Sequence, residues 1–359
     1  MIALRDVPPV LVAAILLASC EGGSDGGGDG TDSTTADDGD GSDPSTADDD
    51  DGPDDDGPDD DAPDDDAPDD DGTDATDPDG TDASATDGST GGGSEADAMC
   101  ERWNADRADL DEGTWSGSVG ACNPGDISAS GRENALRVLN LYRWIADLPP
   151  ITTDPGRDAL AQACALMMTA NDDLSHEPPG SWTCYSADGA EAAGNSNIAG
   201  APGVFAVDMY MVDSGNPTTL GHRRWILSNS IGPTGLGSTD AYSCMWTLGG
   251  SNDVGAEWTA WPPPGPFPFA ASELPWTNMD ETGWSVQSDT IDLGGAQVEI
   301  TAGGETLPVT VTPLLGGYGS ESAISMIPQG WVMTAGTTYH VRIDGVGQTI
   351  EYDVEVVDC

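Results

Sequence analysis

The sequence predicts an α+β protein in which a helix-rich module is followed by a small all-β sandwich, the whole carried behind a disordered acidic tether. Three observations predict it. Apolar residues recur at helical spacing between capping residues from 130 to 171, and they alternate with period two from 298 to 356. The span from Glu21 to Ala98 holds 31 acidic residues, no Lys or Arg, no aromatic side chain and almost nothing aliphatic larger than Ala. Such a span has nothing from which to build a core.

The N-terminus reads as a secretory signal over residues 1–19. Arg5 is its only basic residue, and the apolar run Val10 to Leu17 is too short to span a bilayer. The run closes on Leu17-Ala18-Ser19-Cys20, which resembles the bacterial lipobox. That resemblance implies lipidation of Cys20 and an exported chain anchored to a membrane of the cell envelope, with inner and outer membrane both open. The tether is expected over residues 20–98. Residues 52 to 71 repeat Gly-Pro-Asp-Asp-Asp twice and Ala-Pro-Asp-Asp-Asp twice, so prolines stiffen the chain while like charges push it apart. Its reach is about 260 Å fully stretched and about 50 Å as a Gly-rich coil. A solvated spacer is the plain reading, and weak multi-site calcium binding by Asp-rich turns is the other.

Residues 99 to 359 carry 33 acidic and 9 basic side chains, a net charge of −24 that argues against a nucleic-acid partner. Every basic residue is Arg, so Schiff-base chemistry and a phosphate-loop lysine are excluded. With Cys20 acylated, six cysteines remain: Cys100, Cys122, Cys164, Cys184, Cys244 and Cys359. An even count in an exported chain predicts three disulfides. Because short loops close easily, the expected pairs are Cys100 with Cys122, Cys164 with Cys184, and Cys244 with Cys359.

Ser130-Gly131-Arg132-Glu133 matches a capping box, and Ala135, Val138, Leu139, Tyr142, Ile145 and Ala146 then share a helical face up to Leu148-Pro149-Pro150. Asp154 as cap and Pro155 at the first helical position open a second helix that ends near Asn171. Shorter helices are expected at Val204 to Val212 and Leu220 to Leu227, a loop at Gly180 to Gly203, and strands near Gly235 to Ser238 and Ser243 to Leu248. The run Trp261-Pro262-Pro263-Pro264-Gly265-Pro266 fits neither a helix nor a central strand, and the boundary between modules 99–261 and 262–359 is placed there. Beyond it the alternating segments, with turns at Gly303-Gly304 and Gly345-Val346-Gly347, predict the β-sandwich.

Three histidines can carry chemistry. His340 alternates with Tyr339 and Val341 and is expected on an exposed strand face. His176 lies in Leu174-Ser175-His176-Glu177-Pro178 just after the second helix. His222 lies in Gly221-His222-Arg223-Arg224-Trp225-Ile226-Leu227. These two segments, with the Gly/Asn-rich stretch and aromatic-containing helix between them, resemble the CAP superfamily of cysteine-rich secretory, antigen-five and pathogenesis-related group-one proteins. The second block is similar to a form seen in bacterial members. The resemblance covers about residues 130 to 260 and implies an α-β-α sandwich for 99–261. It also implies a shallow groove with two histidines and two acids, which in some members bind a divalent ion.

Carried over residue by residue, the histidines are His176 and His222. The acids depart from the family pattern, because Gly194-Asn195-Ser196-Asn197 stands where Gly-Glu-Asn is usual. Glu191 and Asp213 are the candidate acids, with Asp208 and Glu177 as fallbacks. Two neutral imidazoles and a carboxylate match a zinc ligand set that leaves a position for water. A divalent cation such as Zn is therefore the candidate cofactor. Arg223 and Arg224 are expected to salt-bridge an acid or to bind an anion, and Trp225 and Trp246 to lie in the core. Three functions stay open at this point. The preferred one is surface display of a CAP module that binds an extracellular lipid, glycan, peptide or protein. The alternatives are a metal-dependent hydrolase using His176 and His222, and a structural surface protein.

Overall fold

The computed structural model describes residues 94–359. The signal, Cys20 and the repeats at 52–71 lie outside the described residues. The first described element is helix α1, Glu95–Asp106. Ser94 caps it reciprocally: Ser94 Oγ accepts from the Asp97 amide and the Asp97 carboxylate accepts from the Ser94 amide. Residues 95 to 98 are therefore helical, where the tether was expected to continue to residue 98. Met99 and Trp103 are buried on its inner face.

Five α-helices and a small sheet follow in layers. Helix α2 is Ala129–Ile145 and α3 is Pro155–Asn171. Asp154 caps α3 through the Arg157 amide, with Pro155 in the first turn, as the sequence predicts. The predicted capping box on α2 is absent, because Ser128 occupies the cap position and Ser130 already lies inside the helix. Within the stretch expected to be loop, Ala187–Gly194 forms α4 and Ser196–Ala199 forms β1. Ser186 caps α4, a signal hidden by the surrounding glycines. Then come α5 (Gly203–Val212), α6 (Gly221–Ile226), β2 (Leu236–Ser238) and β3 (Ser243–Trp246).

The three strands form an antiparallel sheet in the order β1-β3-β2. Ile198, Cys244 and Trp246 pack on one face against Ala161 and Met167 of α3 and Ala192 of α4. Ala199 and Met245, on the other face, join the core with Leu139 of α2 and Val204 and Val207 of α5. Alternation along each strand thus feeds two helical layers.

The C-terminal part is rich in β-strands. After β4 (Thr259–Trp261), β5 (Gly265–Pro268), the short pair β6 (Glu273–Leu274) and β7 (Thr277–Asn278), and α7 (Met279–Thr282), the strands are β8 (Trp284–Ser288), β9 (Gln297–Ala302), β10 (Glu305–Leu307), β11 (Val309–Leu314), β12 (Ser322–Pro328), β13 (Thr338–Asp344) and β14 (Ile350–Val357). They form a five-stranded sheet, β10-β9-β13-β14-β5, and a four-stranded sheet, β11-β12-β8-β4. The Gly303-Gly304 turn joins β9 to β10. Val309 and Val311 lie instead on β11, paired with β12 in the other sheet. Pro266 and Pro268 sit on β5 at the sheet edge, where missing amides cost least.

The proline-rich run does not divide the core. Trp261 on β4 packs edge-on against Tyr142 of α2 at 5.6 Å between centroids and against Phe267 at 5.1 Å. One buried cluster runs from Met99 to Val356. All six cysteines of the described residues are bridged, but as Cys100–Cys359, Cys122–Cys184 and Cys164–Cys244. The expectation of short loops fails because the core brings distant elements together first. Cys164 on α3 faces Cys244 on β3 across the sheet, and α1 lies along β5 and β14, where Cys100 meets the last residue.

Candidate functional site

His222 stands in the first turn of α6 and is fully buried. Its Nδ1 lies 2.9 Å from Asp213 Oδ1 and 2.9 Å from Asn216 Nδ2, and Asn216 Nδ2 donates to Asp213 Oδ1 at 2.7 Å. Because an ionised carboxylate only accepts, the 2.9 Å contact with Asp213 Oδ1 assigns the imidazole proton to Nδ1, and the Asn216 amide beside that nitrogen is then spent on Asp213 alone. The other carboxylate oxygen, Oδ2, accepts the Arg223 amide at 3.2 Å. Asp213 holds its place in the left-handed conformation at the end of α5, with φ 57°.

This assignment makes Nε2 of His222 an acceptor, and it has no hydrogen-bond partner among the described residues and no exposure. Two further acceptors nearby in the network share that condition. Asn197 Nδ2 donates to the His222 carbonyl at 3.0 Å, which leaves Asn197 Oδ1 unpartnered, and Asn216 Oδ1 is unpartnered too. The Tyr210 ring packs 5.1 Å from the imidazole, and its hydroxyl donates to the Asn197 carbonyl at 3.1 Å.

His176 lies in the loop between α3 and α4, half-buried, with Nδ1 2.8 Å from the Ala193 carbonyl. Burial pushes its pKa down, the hydrogen bond to Ala193 opposes this, and the neighbouring His222 imidazole pushes it down further. The candidate acids sit differently. Asp213 is spent on orienting His222, and Glu191 is an exposed residue of α4 whose carbonyl accepts from Asn195. Of the fallbacks, Glu177 is exposed, and Asp208 binds Arg107 through both oxygens and accepts the Tyr142 hydroxyl at 2.6 Å.

Residues 136–245 match the family model of the cysteine-rich secretory protein family. A CAP domain covers this stretch. Comparison with curated proteins and with solved structures gave no match. Among the described residues, no group of three or more His, Cys, Asp or Glu side chains is arranged to hold a metal ion. The imidazoles of the CAP domain suit a metal as nitrogen ligands. Asp213 does not suit it as the third ligand, since both its oxygens are occupied by its neighbours.

The arginines beside His222 correct their expectation. Arg223 binds the Met211, Val212 and Gly283 carbonyls at 2.6 to 2.9 Å, and the Ser285 and Thr282 hydroxyls at 3.2 Å. Arg224 binds the Thr219, Leu315 and Ser320 carbonyls at 2.6 to 3.0 Å. Neither side chain salt-bridges an acid among the described residues. Burial lowers both pKa values to about 10, which leaves them charged at neutral pH. They fasten the CAP domain to β8 and to the β11–β12 loop. Trp246 is buried, as expected for a core residue, whereas Trp225 is only half-buried.

Sequence reasoning missed Asn197 and Asn216. Asn197 was visible only as part of the Gly194-Asn195-Ser196-Asn197 stretch that stands where Gly-Glu-Asn is usual, and Asn216 precedes a proline three positions after Asp213, a turn signal that carries no chemistry by itself.

Proposed function

We propose that this protein is an exported, lipid-anchored binding module whose CAP domain takes an extracellular lipid, glycan, peptide or protein ligand. The observation that carries the reading is the closed network at His222: both oxygens of Asp213 and Nδ1 of His222 are satisfied inside the core. Such a network holds a shape and leaves no carboxylate for a metal or a water. The lipobox and the acidic span support display away from a membrane. The continuous core supports a single recognition body that includes the β-rich part.

The unpartnered Nε2 of His222 near His176 favours a second reading, a divalent ion held by both imidazoles in a hydrolase. Metal analysis of the full chain carrying Cys20→Ser separates the two. Binding predicts substoichiometric zinc, no hydrolysis of model esters or peptides, and saturable binding to at least one member of a panel of phospholipid vesicles, envelope polysaccharides and peptides. One zinc per chain, with hydrolysis abolished by His176→Ala, would overturn the binding reading.

A further inference from the structure

Away from the two histidines, the surface of the helical part opens into a groove of about 440 Å³, within the size range of small-ligand sites. Neither His176 nor His222 lines it. Its walls are the 122–124 turn, Ala163 and Leu166 of α3, and the loop 180–186, which supplies Trp182 and Tyr185. Among the described residues no lining side chain is charged, although residues 99 to 359 carry 33 acidic and 9 basic groups. Trp182 is half-buried, resting on the cluster that holds Cys164 and Trp246, and Tyr185 is exposed. We propose that this groove is a carbohydrate site, taking a neutral oligosaccharide whose pyranose faces stack on Trp182 and Tyr185. The inference rests on the binding reading and deepens it, since it names a ligand class and a place for it.

The loop is held in place without a ligand. The Cys122–Cys184 bridge ties it to the facing turn. Asn171 clasps both backbone groups of Thr183, donating to its carbonyl at 3.0 Å and accepting its amide at 2.9 Å. The Tyr185 amide donates to the Trp182 carbonyl at 3.2 Å, which closes a turn between the two aromatic residues. Rings on so fixed a segment lose little further freedom on binding. Three donors remain for a partner. The Trp182 indole N–H and the Tyr185 hydroxyl make no hydrogen bond among the described residues. The Ser186 hydroxyl, which accepts the Gly189 amide at 3.0 Å, still has its proton to donate. An acyl chain would strip these donors of water and leave them against carbon, which costs free energy for each. An anionic ligand would approach against the charge of the domain, and a cationic one would find no carboxylate among the lining side chains. A pyranose matches on both counts, with a C–H face for the rings and hydroxyl oxygens for the donors.

Calorimetric titration of the full chain carrying Cys20→Ser tests the site, with chito-, cello-, malto- and manno-oligosaccharides as neutral probes. Oligogalacturonate, phospholipid vesicles and a proline-rich peptide serve as the competing classes. At least one neutral probe should bind saturably. Trp182→Ala should weaken that binding about thirtyfold, as for loss of an aromatic anchor, and Tyr185→Ala about fivefold. Trp144→Ala, which removes an exposed tryptophan outside the groove, should keep the unsubstituted affinity. Tyr185 is exposed, so its variant still reports on the groove if Trp182→Ala misfolds. In the chain without groove substitutions, the bound probe should slow amide exchange in residues 180 to 186 and leave β13 and β14 unchanged. Binding of no neutral probe, or binding that survives both groove substitutions, would overturn the proposal. Vesicles or peptide bound through Trp182 in place of sugars would also overturn it, while the binding reading would stand. One zinc per chain with hydrolysis, alongside sugar binding lost in Trp182→Ala, would support this site and remove the binding reading instead.

Discussion

At the scale of single residues, the histidines differ in charge behaviour. His340 stands on an exposed strand face, with Nδ1 2.8 Å from Asp353 and Nε2 3.0 Å from Glu351. The hydrogen bond to Asp353 and the charges of both acids raise its pKa. His176 is shifted the other way, chiefly by burial. In an NMR titration the His340 midpoint should therefore lie above the ordinary histidine value of about 6.5 and the His176 midpoint below it. Coinciding midpoints would contradict the placement of both. By linkage, a raised folded-state pKa stabilises fully below the unfolded value and loses that contribution as pH rises through the folded value. For so exposed a group the effect should stay below about 1 kcal/mol. His176 contributes with the opposite sign, destabilising the fold as pH drops below its unfolded pKa. Asp213 carries more. Asp213→Ala strips the partner from the buried imidazole, the Asn216 amide and the Arg223 backbone, and should cost about 2 to 4 kcal/mol in urea unfolding. A loss under half a kcal/mol would show that the network is not the anchor described here.

At the scale of elements, helix α6 joins the two parts of the chain. Its arginines donate to six backbone carbonyls from four separate segments. Arg224→Met keeps the bulk and removes the donors. It should lower stability by about 3 kcal/mol, the cost of orphaning buried acceptors. It should also speed amide exchange in residues 315 to 320 more than in β2 and β3. Equal acceleration everywhere would show that the side chain supports the core rather than the loop. The elements most legible in the sequence are those with local signals: α3, with Asp154 and Pro155, and the alternating strands β13 and β14. Helix α4 and strand β1 were not legible, because small residues give neither element a hydrophobic period and their cores come from α3 and β3.

At the scale of the whole molecule, the Cys100–Cys359 bridge closes a loop of 259 residues and fastens α1 to the final strand. Cys359→Ser should destabilise the fold by about 2 to 5 kcal/mol. Its first effect should be faster exchange in α1 and β14 while α3 keeps its protection, since Cys164–Cys244 still ties α3 to the sheet. Uniform loss of protection would show instead that the chain unfolds as one cooperative unit. Outside the described residues, acylation at Cys20 should appear in mass spectra of the membrane fraction, and Cys20→Ser should release the protein. An unmodified terminus elsewhere would remove the anchor from the proposed function.

What the sequence determined by itself was local or compositional: the acidic span, an even cysteine count, the α3 helix with its own cap, and two histidine segments similar to the CAP superfamily. Each is written within a few consecutive residues. Tertiary structure alone decided which cysteines pair, that Asp213 serves His222, that Asn197 and Asn216 join it, and that Tyr318 packs on Gly221. Those outcomes depend on which faces of α3, α5 and α6 meet the sheets and on a loop nearly a hundred residues downstream of His222. Burial of apolar faces chooses that arrangement, and polar groups then pair with whatever the packing brings within reach.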